Sequence, residues 1–351
     1  MTQPVRTYPF QFTGSGGEYF RIWIVNLALT LVTLGIYSAW AKVRRKRYFN
    51  THTLVDGHHF DYLANPVDIL KGRIIAAGLF AAYTLAEGTL PVVAGILAVL
   101  FFIAMPWIVV KALQFNARNT SHRGLRFQFD GDMKDAYKVF LGGGLLSIIT
   151  LGLALPYVAY LKTRFVAGNH RFGGSGFHFQ GRPGPFYRIY LIALLLMLLA
   201  LAAAMAAVIG IMGVALNPYE LMAGSKKAVI AALVLGILAF YASLPFAAGY
   251  LNARSADLMF NGIRLEGLTL AGQHGARRLV WLYVSNLLLI LLTLGFYLPW
   301  AQVRTARYWL DNLSVNGPEG GLDAFVAAAG QNTAATGSEM ADLFDVDLAL
   351  G

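Results

Sequence analysis

The chain has 351 residues, 57% hydrophobic and only 13% charged, with a formal net charge of +10 and no cysteine. Soluble domains carry roughly a quarter charged residues, so this composition, with a mean hydropathy of +0.56, points to a membrane protein. It excludes a disulfide framework and a thiolate metal or redox site; the basic excess lies in an apolar chain, not in a basic polar domain, which excludes nucleic acid as a partner.

Residues 1–19 lack the charged-then-apolar layout of a cleaved signal peptide, so the first apolar run is expected to be a retained anchor. Apolar stretches near the spanning length of about 20 residues lie at 20–41, 70–87, 90–110, 137–161, 187–215, 228–250 and 279–301. Two pairs read as helical hairpins, turning at Glu87-Gly88-Thr89-Leu90-Pro91 and at Asn217-Pro218-Tyr219-Glu220. The other three segments each carry Thr-Leu-Gly: Thr33-Leu34-Gly35, Thr150-Leu151-Gly152 and Thr293-Leu294-Gly295.

A pattern recurs five times. Trp40, Trp107, Tyr157 and Trp300 stand seventeen residues before Gly57, Gly124, Gly174 and Gly317, and Phe246 stands sixteen before Gly262. Pro precedes the aromatic in four copies, and twelve residues after it come His52, Asn119, Asn169 and Asn312. A short basic helix lies between, with Arg47, Arg164 and Arg307 at one position. Each glycine closes a turn-like pair (Asp56-Gly57, Arg123-Gly124, Gly173-Gly174, Asn261-Gly262, Asn316-Gly317) flanked by alternating residues, which predicts a hairpin. The expected fold is therefore an α-helical integral membrane protein of about seven apolar segments. Residues 1–317 would form five tandem repeats, each with a basic helix and a small β-hairpin outside the bilayer.

Residues 8–12 look like a second hairpin strand without a first, and 313–317 like a first without a second, so the two are expected to pair. Residues 318–351, rich in Gly and Ala and acidic, are expected to be a disordered tail with a short amphipathic helix at 338–349. Topology stays open. Seven crossings would put residues 160–187 outside despite Lys162, Arg164, Arg171 and Arg182, against the positive-inside rule. Re-entrant Thr-Leu-Gly segments would keep all five basic units in the cytoplasm, at the cost of irregular backbone that other helices must cover.

The set Phe10-x-Phe12-x-Gly14, Glu18-Tyr19-Phe20-Arg21, Asn26, Thr33-Leu34-Gly35-Ile36-Tyr37, Trp40-Ala41-Lys42, Arg47-Tyr48 and Gly72-Arg73 resembles the YjgN-type family of bacterial inner-membrane proteins. The resemblance covers 8 to about 315. It implies a multi-pass inner-membrane protein and brings no biochemical activity or functional residues.

Asn26 and Asn286, each seven residues before its Thr-Leu-Gly, are amides inside apolar segments. They face either a solute path or another helix, the latter being the commoner use. Thr33, Thr150 and Thr293 are expected to bond the preceding helical turn. Trp40, Trp107 and Trp300 read as interfacial anchors. Lys42, Arg44, Arg45, Arg47, Arg164 and Arg307 read as contacts to anionic lipid, worth about 1 kcal/mol per charge. His52, His58, His59, His170 and His178 lack converging metal-ligand geometry, so no metal or other cofactor is expected. No catalytic set is legible, so no enzyme is expected. Transport of a small solute or lipid and a non-catalytic scaffold or sensor are the two functional readings.

Overall fold

A computed structural model describes residues 5–215 and 226–330. The second hairpin turn at 217–220 and the helix expected at 338–349 lie outside the described residues. The chain divides into two compact units, one of Met1–Gly181, Met259–Gly272 and Leu298–Gly351, the other of Arg182–Leu258 and Gln273–Tyr297.

In the first unit, strand β1 (Val5–Phe12) leads into helix α1 (Gly16–Val32), which Ser15 caps by accepting from the Glu18 amide. The basic helix α2 (Ser38–Thr51), β2 (Thr53–Val55) and β3 (His58–Tyr62) follow. Next come the long helices α3 (Pro66–Thr89) and α4 (Pro91–Arg118), then β4 (Thr120–His122) and β5 (Leu125–Phe129). Helix α5 (Met133–Ala136) runs through a π turn (Tyr137–Gly142) into α6 (Gly143–Ile149). A Cβ on Gly143 would stand 2.9 Å from a Val158 methyl, so the glycine lets α6 approach α7 (Leu155–Gly168) closely. Strands β6 (His170–Phe172), β7 (Ser175–Gly176) and β8 (His178–Phe179) follow. Beyond the second unit the first resumes with β9 (Ile263–Leu265) and β10 (Leu268–Gly272), and later with a basic helix (Leu298–Asp311) and the last strand, β11 (Leu313–Pro318).

The eleven strands among the described residues form one sheet, in the order β7-β6-β5-β4-β3-β2-β1-β11-β10-β9-β8. Its two terminal strands are separated only by Phe177, whose amide donates to the His170 carbonyl at 2.9 Å, so the sheet closes on itself and leaves no long free edge. The expected pairing of the two chain ends is present: β1 runs antiparallel to β11, with Tyr8 opposite Val315 and Pro9 opposite Ser314. β1 also pairs β2, with Phe10 opposite Val55. Inward residues alternate with outward ones along the strands. Tyr8, Val55, Leu125, Phe172, Leu265, Leu268 and Val315 form the buried centre, with Phe10, Phe60, Phe127 and Phe177 against it.

Three sequence expectations need correction. The fourth hairpin turns at Glu266-Gly267, where φ is +41° and +84°, not at Asn261-Gly262. Asn261 instead bonds Gly272 twice, its Oδ1 accepting from the amide at 2.8 Å and its Nδ2 donating to the carbonyl at 3.1 Å. Seventeen residues before Gly267 stands Tyr250, not Phe246. Likewise Asn316-Gly317 is no turn: β11 runs straight through, and Gly317 faces Arg6 of β1. Finally, residues 318–330 are not a solvated tail. Gly321–Gly330 is a helix, and its Leu322, Phe325 and Ala329 are buried in the centre of the closed sheet. The acidic average of the tail hid this short apolar face.

Four helices among the described residues are long and apolar enough to cross a membrane: Pro66–Thr89, Pro91–Arg118, Pro183–Gly210 and Leu233–Gly262. The first two pack together as the first expected hairpin, and the fold is that of a helical membrane protein. The Thr-Leu-Gly helices fall short of the seven-segment expectation. The 17 residues of α1 extend about 25 Å at 1.5 Å per residue, against a hydrocarbon core of about 30 Å.

The second unit holds α8 (Pro183–Ala215), most of α9 (Lys226–Gly262) and α10 (Ala276–Leu292). Helices α9 and α10 touch backbone to backbone at Gly249, where a Cβ would lie 2.6 Å from a Val280 methyl and 3.0 Å from its Cα. Asn252 Nδ2 donates to the Tyr283 hydroxyl at 3.4 Å beside this contact. We number the basic helix Leu298–Asp311 α11 and Gly321–Gly330 α12.

Candidate functional site

The candidate site is the turn from α1 into α2 and its two counterparts. Helix α1 stops in a paired hydrogen-bond motif: the Leu34 amide donates to the Leu31 carbonyl at 3.1 Å and the Gly35 amide to Thr30 at 2.8 Å. Leu34 sits at φ +50° and Gly35 at +93°. The same bonds recur at Leu151 and Gly152, and at Leu294 and Gly295. A leucine in the left-handed region costs about 1–2 kcal/mol, yet Leu34, Leu151 and Leu294 are 94%, 94% and 90% exposed.

Each threonine joins the helix before the turn to the helix after it. Thr33 Oγ1 donates to the Leu29 carbonyl at 2.7 Å and accepts from the Tyr37 amide at 2.9 Å. Thr150 does so with Leu146 and Ala154, Thr293 with Leu289 and Tyr297. The expected bond to the preceding turn is therefore half of the role. The other half satisfies an amide at the start of the next helix, which a turn placed in hydrocarbon requires.

Below the turn, Asn26 is buried in α1 and its Oδ1 accepts from Arg44 Nη1 at 3.4 Å; the same guanidinium donates to the Tyr37 hydroxyl at 2.9 Å. This is a helix–helix bond, the commoner of the two readings. Asn286 is buried in α10, in the second unit. Arg73 of α3 bonds the Ser38 hydroxyl at the start of α2. Lys46 bonds Asn116 and lies 4.9 Å over the Tyr62 ring. Burial first, then neighbouring Arg73 and Arg45 for Lys42, and Lys42 and Arg45 for Lys46, push both ammonium groups below the usual lysine range.

Arg44, Arg45, Arg47, Arg164 and Arg307 are exposed. Arg307 also reaches the Gly14 carbonyl at 2.9 Å. Trp40 stacks on Tyr37 and packs against the buried Ala39, Val43 and Tyr62, whereas Trp300 lies against Phe20 and over Gly16. Trp107 is exposed. The recurring asparagines are helix ends: Asn119, Asn169 and Asn312 each donate Nδ2 to the carbonyl four residues back at 2.7 Å.

Two histidines outside the sequence-predicted set matter more than those inside it. His122 is 2% exposed, with Nδ1 3.2 Å from the His59 carbonyl. Burial pushes its imidazole down to about 4. The unfolded chain therefore takes up a proton below its ordinary value near 6.5 that the folded chain refuses, and stability falls as pH drops from about 6.5 towards 4. His122→Phe should flatten the melting temperature across that window, in comparison with the unsubstituted chain. His274 is buried in the second unit, with Nδ1 2.7 Å and its amide 2.9 Å from Asp257 Oδ1. Its position is glycine in three other copies, a departure concealed by the misread register of the fourth.

These features define a multi-pass helical membrane protein whose first unit holds a closed eleven-stranded sheet. The chain belongs to the family described as "Bacterial protein of unknown function (DUF898)", whose model matches residues 7–343. It is 31% identical over 171 residues to the inner membrane protein YjgN of Escherichia coli K12, covering 47% of this chain and 41% of that one. To the protein of that name from Salmonella typhimurium LT2 it is 33% identical over 158 residues, covering 45% and 40%. The matched region thus spans about two fifths of these curated relatives. No solved structure matches the chain. The relatives and the spanning-length helices together place the protein in the bacterial inner membrane.

Proposed function

We propose that this protein is a non-catalytic membrane scaffold, built from five copies of one duplicated unit, that holds anionic lipid on its basic helices. In this reading the four long helices cross the membrane, and the three Thr-Leu-Gly segments enter it and return. All five basic helices then stand on the cytoplasmic face with the closed sheet beyond them. The observation that carries the reading is the turn itself. Its amides are bonded internally, its tip is an exposed leucine, and the Lys and Arg begin about two to three helical turns beyond that tip, at Lys42, Lys162 and Arg304, the order expected of a segment dipping from headgroups into hydrocarbon.

The alternative reading, transport of a small solute or lipid, drew on Asn26 and Asn286. The bond from Arg44 gives Asn26 a task in holding α1 to α2 and leaves that reading with less support.

Lipid retention tests the scaffold reading. Arg45→Gln with Arg47→Gln removes two exposed charges, each worth about 1 kcal/mol near an anionic surface. The purified double variant should retain phosphatidylglycerol at least tenfold less well than the unsubstituted protein, with phosphatidylcholine retention unchanged. Equal retention of phosphatidylglycerol by both proteins would overturn the reading.

A further inference from the structure

The closed sheet is complete without α12. Each strand is paired with other strands of the sheet, and the chain enters α12 with the Ala324 amide donating to the Gly320 carbonyl at 2.9 Å. The helix packs on the sheet through its apolar side chains. Leu322, Phe325 and Ala329 enter its centre, and Phe325 stacks on Phe172 with ring centroids 5.7 Å apart. The opposing wall is shaped to admit the helix: a Cβ on Gly173 would lie 2.6 Å from the Ala329 Cβ. At the rim, Arg123 meets Asp323 at 2.6 Å and Asp56 at 4.0 Å.

We propose that this end of the sheet is a socket for a short apolar helix carrying one acid, and that α12 fills it as a releasable plug. Ten residues are marginal as an isolated helix. Three buried side chains and one ion pair must offset the ordering of that whole segment. Gly320, at φ +69°, and Gly321 join it to β11, giving it a hinge. The charge on Arg123 selects an acidic partner. Beneath, the buried Nε2 of His122 has no hydrogen-bond partner, and its ring lies 6.2 Å from Phe172. The socket thus keeps two polar atoms that α12 leaves without a hydrogen bond, this Nε2 and Arg123 Nη1, as expected of a site not built for permanent closure.

The test uses the full chain and a fluorescent synthetic peptide of residues 318–330. In the chain carrying Asp323→Lys the plug loses its ion pair, and the unsubstituted peptide should bind at least tenfold more tightly than it does to the unsubstituted chain. A peptide carrying the same substitution should bind neither. Equal binding to both chains, or binding indifferent to the peptide's Asp323, would overturn the proposal. A second measurement covers the case in which the substituted chain does not fold. The chain has no cysteine, so Ala329→Cys and Val315→Cys can each be labelled alone. A releasable plug labels at Ala329→Cys at least tenfold faster than the sheet does at Val315→Cys. Equally slow labelling makes α12 a fixed part of the core and sinks the proposal.

Discussion

Single cysteines placed at Thr53 and Ser175 should label from the same side of the inner membrane, the cytoplasmic one. Thr53 opens β2 and Ser175 opens β7, and both strands belong to one hydrogen-bonded sheet. Seven crossings would put an odd number of spans between the two positions and place them on opposite faces. The ladders from β1 to β2 and from β5 to β6 would then have to pass through the bilayer. Phe10 opposite Val55 and Gln128 opposite Arg171 are among their rungs, and an unpaired backbone group in hydrocarbon costs several kcal/mol. An even count removes the conflict: α3 and α4 cross as a pair, and the segment ending at Thr150 returns to the side it left. The readout is all-or-none. A membrane-impermeant maleimide added to intact spheroplasts should leave both cysteines unmodified, and both should react once the membrane is opened. Labelling of one and not the other in intact cells would restore seven crossings and remove the basis for re-entrant turns.

Much of this architecture was legible because it is periodic. Spacings of seventeen residues located three of the helix-to-turn units, and the unmatched strands at 8–12 and 313–317 foretold their own pairing. Three things were not legible, each for a physical reason. Hairpins read one at a time carry no signal of which hairpin lies beside them, since the bonds between β3 and β4 or β5 and β6 are made by backbone and leave no residue signature. Asn261-Gly262 and Asn316-Gly317 have turn chemistry, yet tertiary pairing overrode it: Asn261 is used to clamp Gly272, and Gly317 is held in β11 against Arg6. The helix at Gly321–Gly330 is too short to stand out in an acidic, alanine-rich segment, and only a sheet already closed around Leu322 and Phe325 gives it a reason to fold. At the candidate site, Thr33, Asn26 and Arg44 could be singled out by residue type, but that they converge on one turn required the reversal at Leu34. Sequence alone gives a leucine there no special meaning.

Asp257→Ala should be among the most damaging single substitutions in the second unit, and a threefold exchange should repair it. In the other units the strand after the turn ends in an aromatic and a small residue stands two positions on: Phe12 and Gly14, Tyr62 and Ala64, Phe129 and Gly131, Phe179 and Gly181. A Cβ at Gly14, Gly131 or Gly181 would fall within 2.8 Å of the aromatic two residues before it, so in these copies the large side chain and the small one exclude each other's enlargement. The fourth unit reverses the order, with Gly272 first and the buried His274 second. The helix position that is Arg47, Arg164 or Arg307 elsewhere is Asp257. The reversal is chemically consistent. Arg307 donates to the Gly14 carbonyl, and Asp257 accepts from the His274 amide and imidazole. Removing the Asp257 carboxylate therefore strands two buried donors, each at about 1–3 kcal/mol, and leaves Arg254 without its ion partner at 3.5 Å. His274→Gly alone leaves a void, and Gly272→Phe alone overfills the same neighbourhood. Made together, Asp257→Arg, Gly272→Phe and His274→Gly rebuild the pattern of the fifth unit and should recover most of the thermal stability lost by the worst single change, measured as the midpoint for loss of monodisperse protein in detergent. Such recovery would be a coupling energy among neighbouring residues, which independent sites do not show. If the triple variant is as unstable as the three single losses added together, the fourth unit is not an exchanged form of the others, and the argument from internal duplication loses its most specific support.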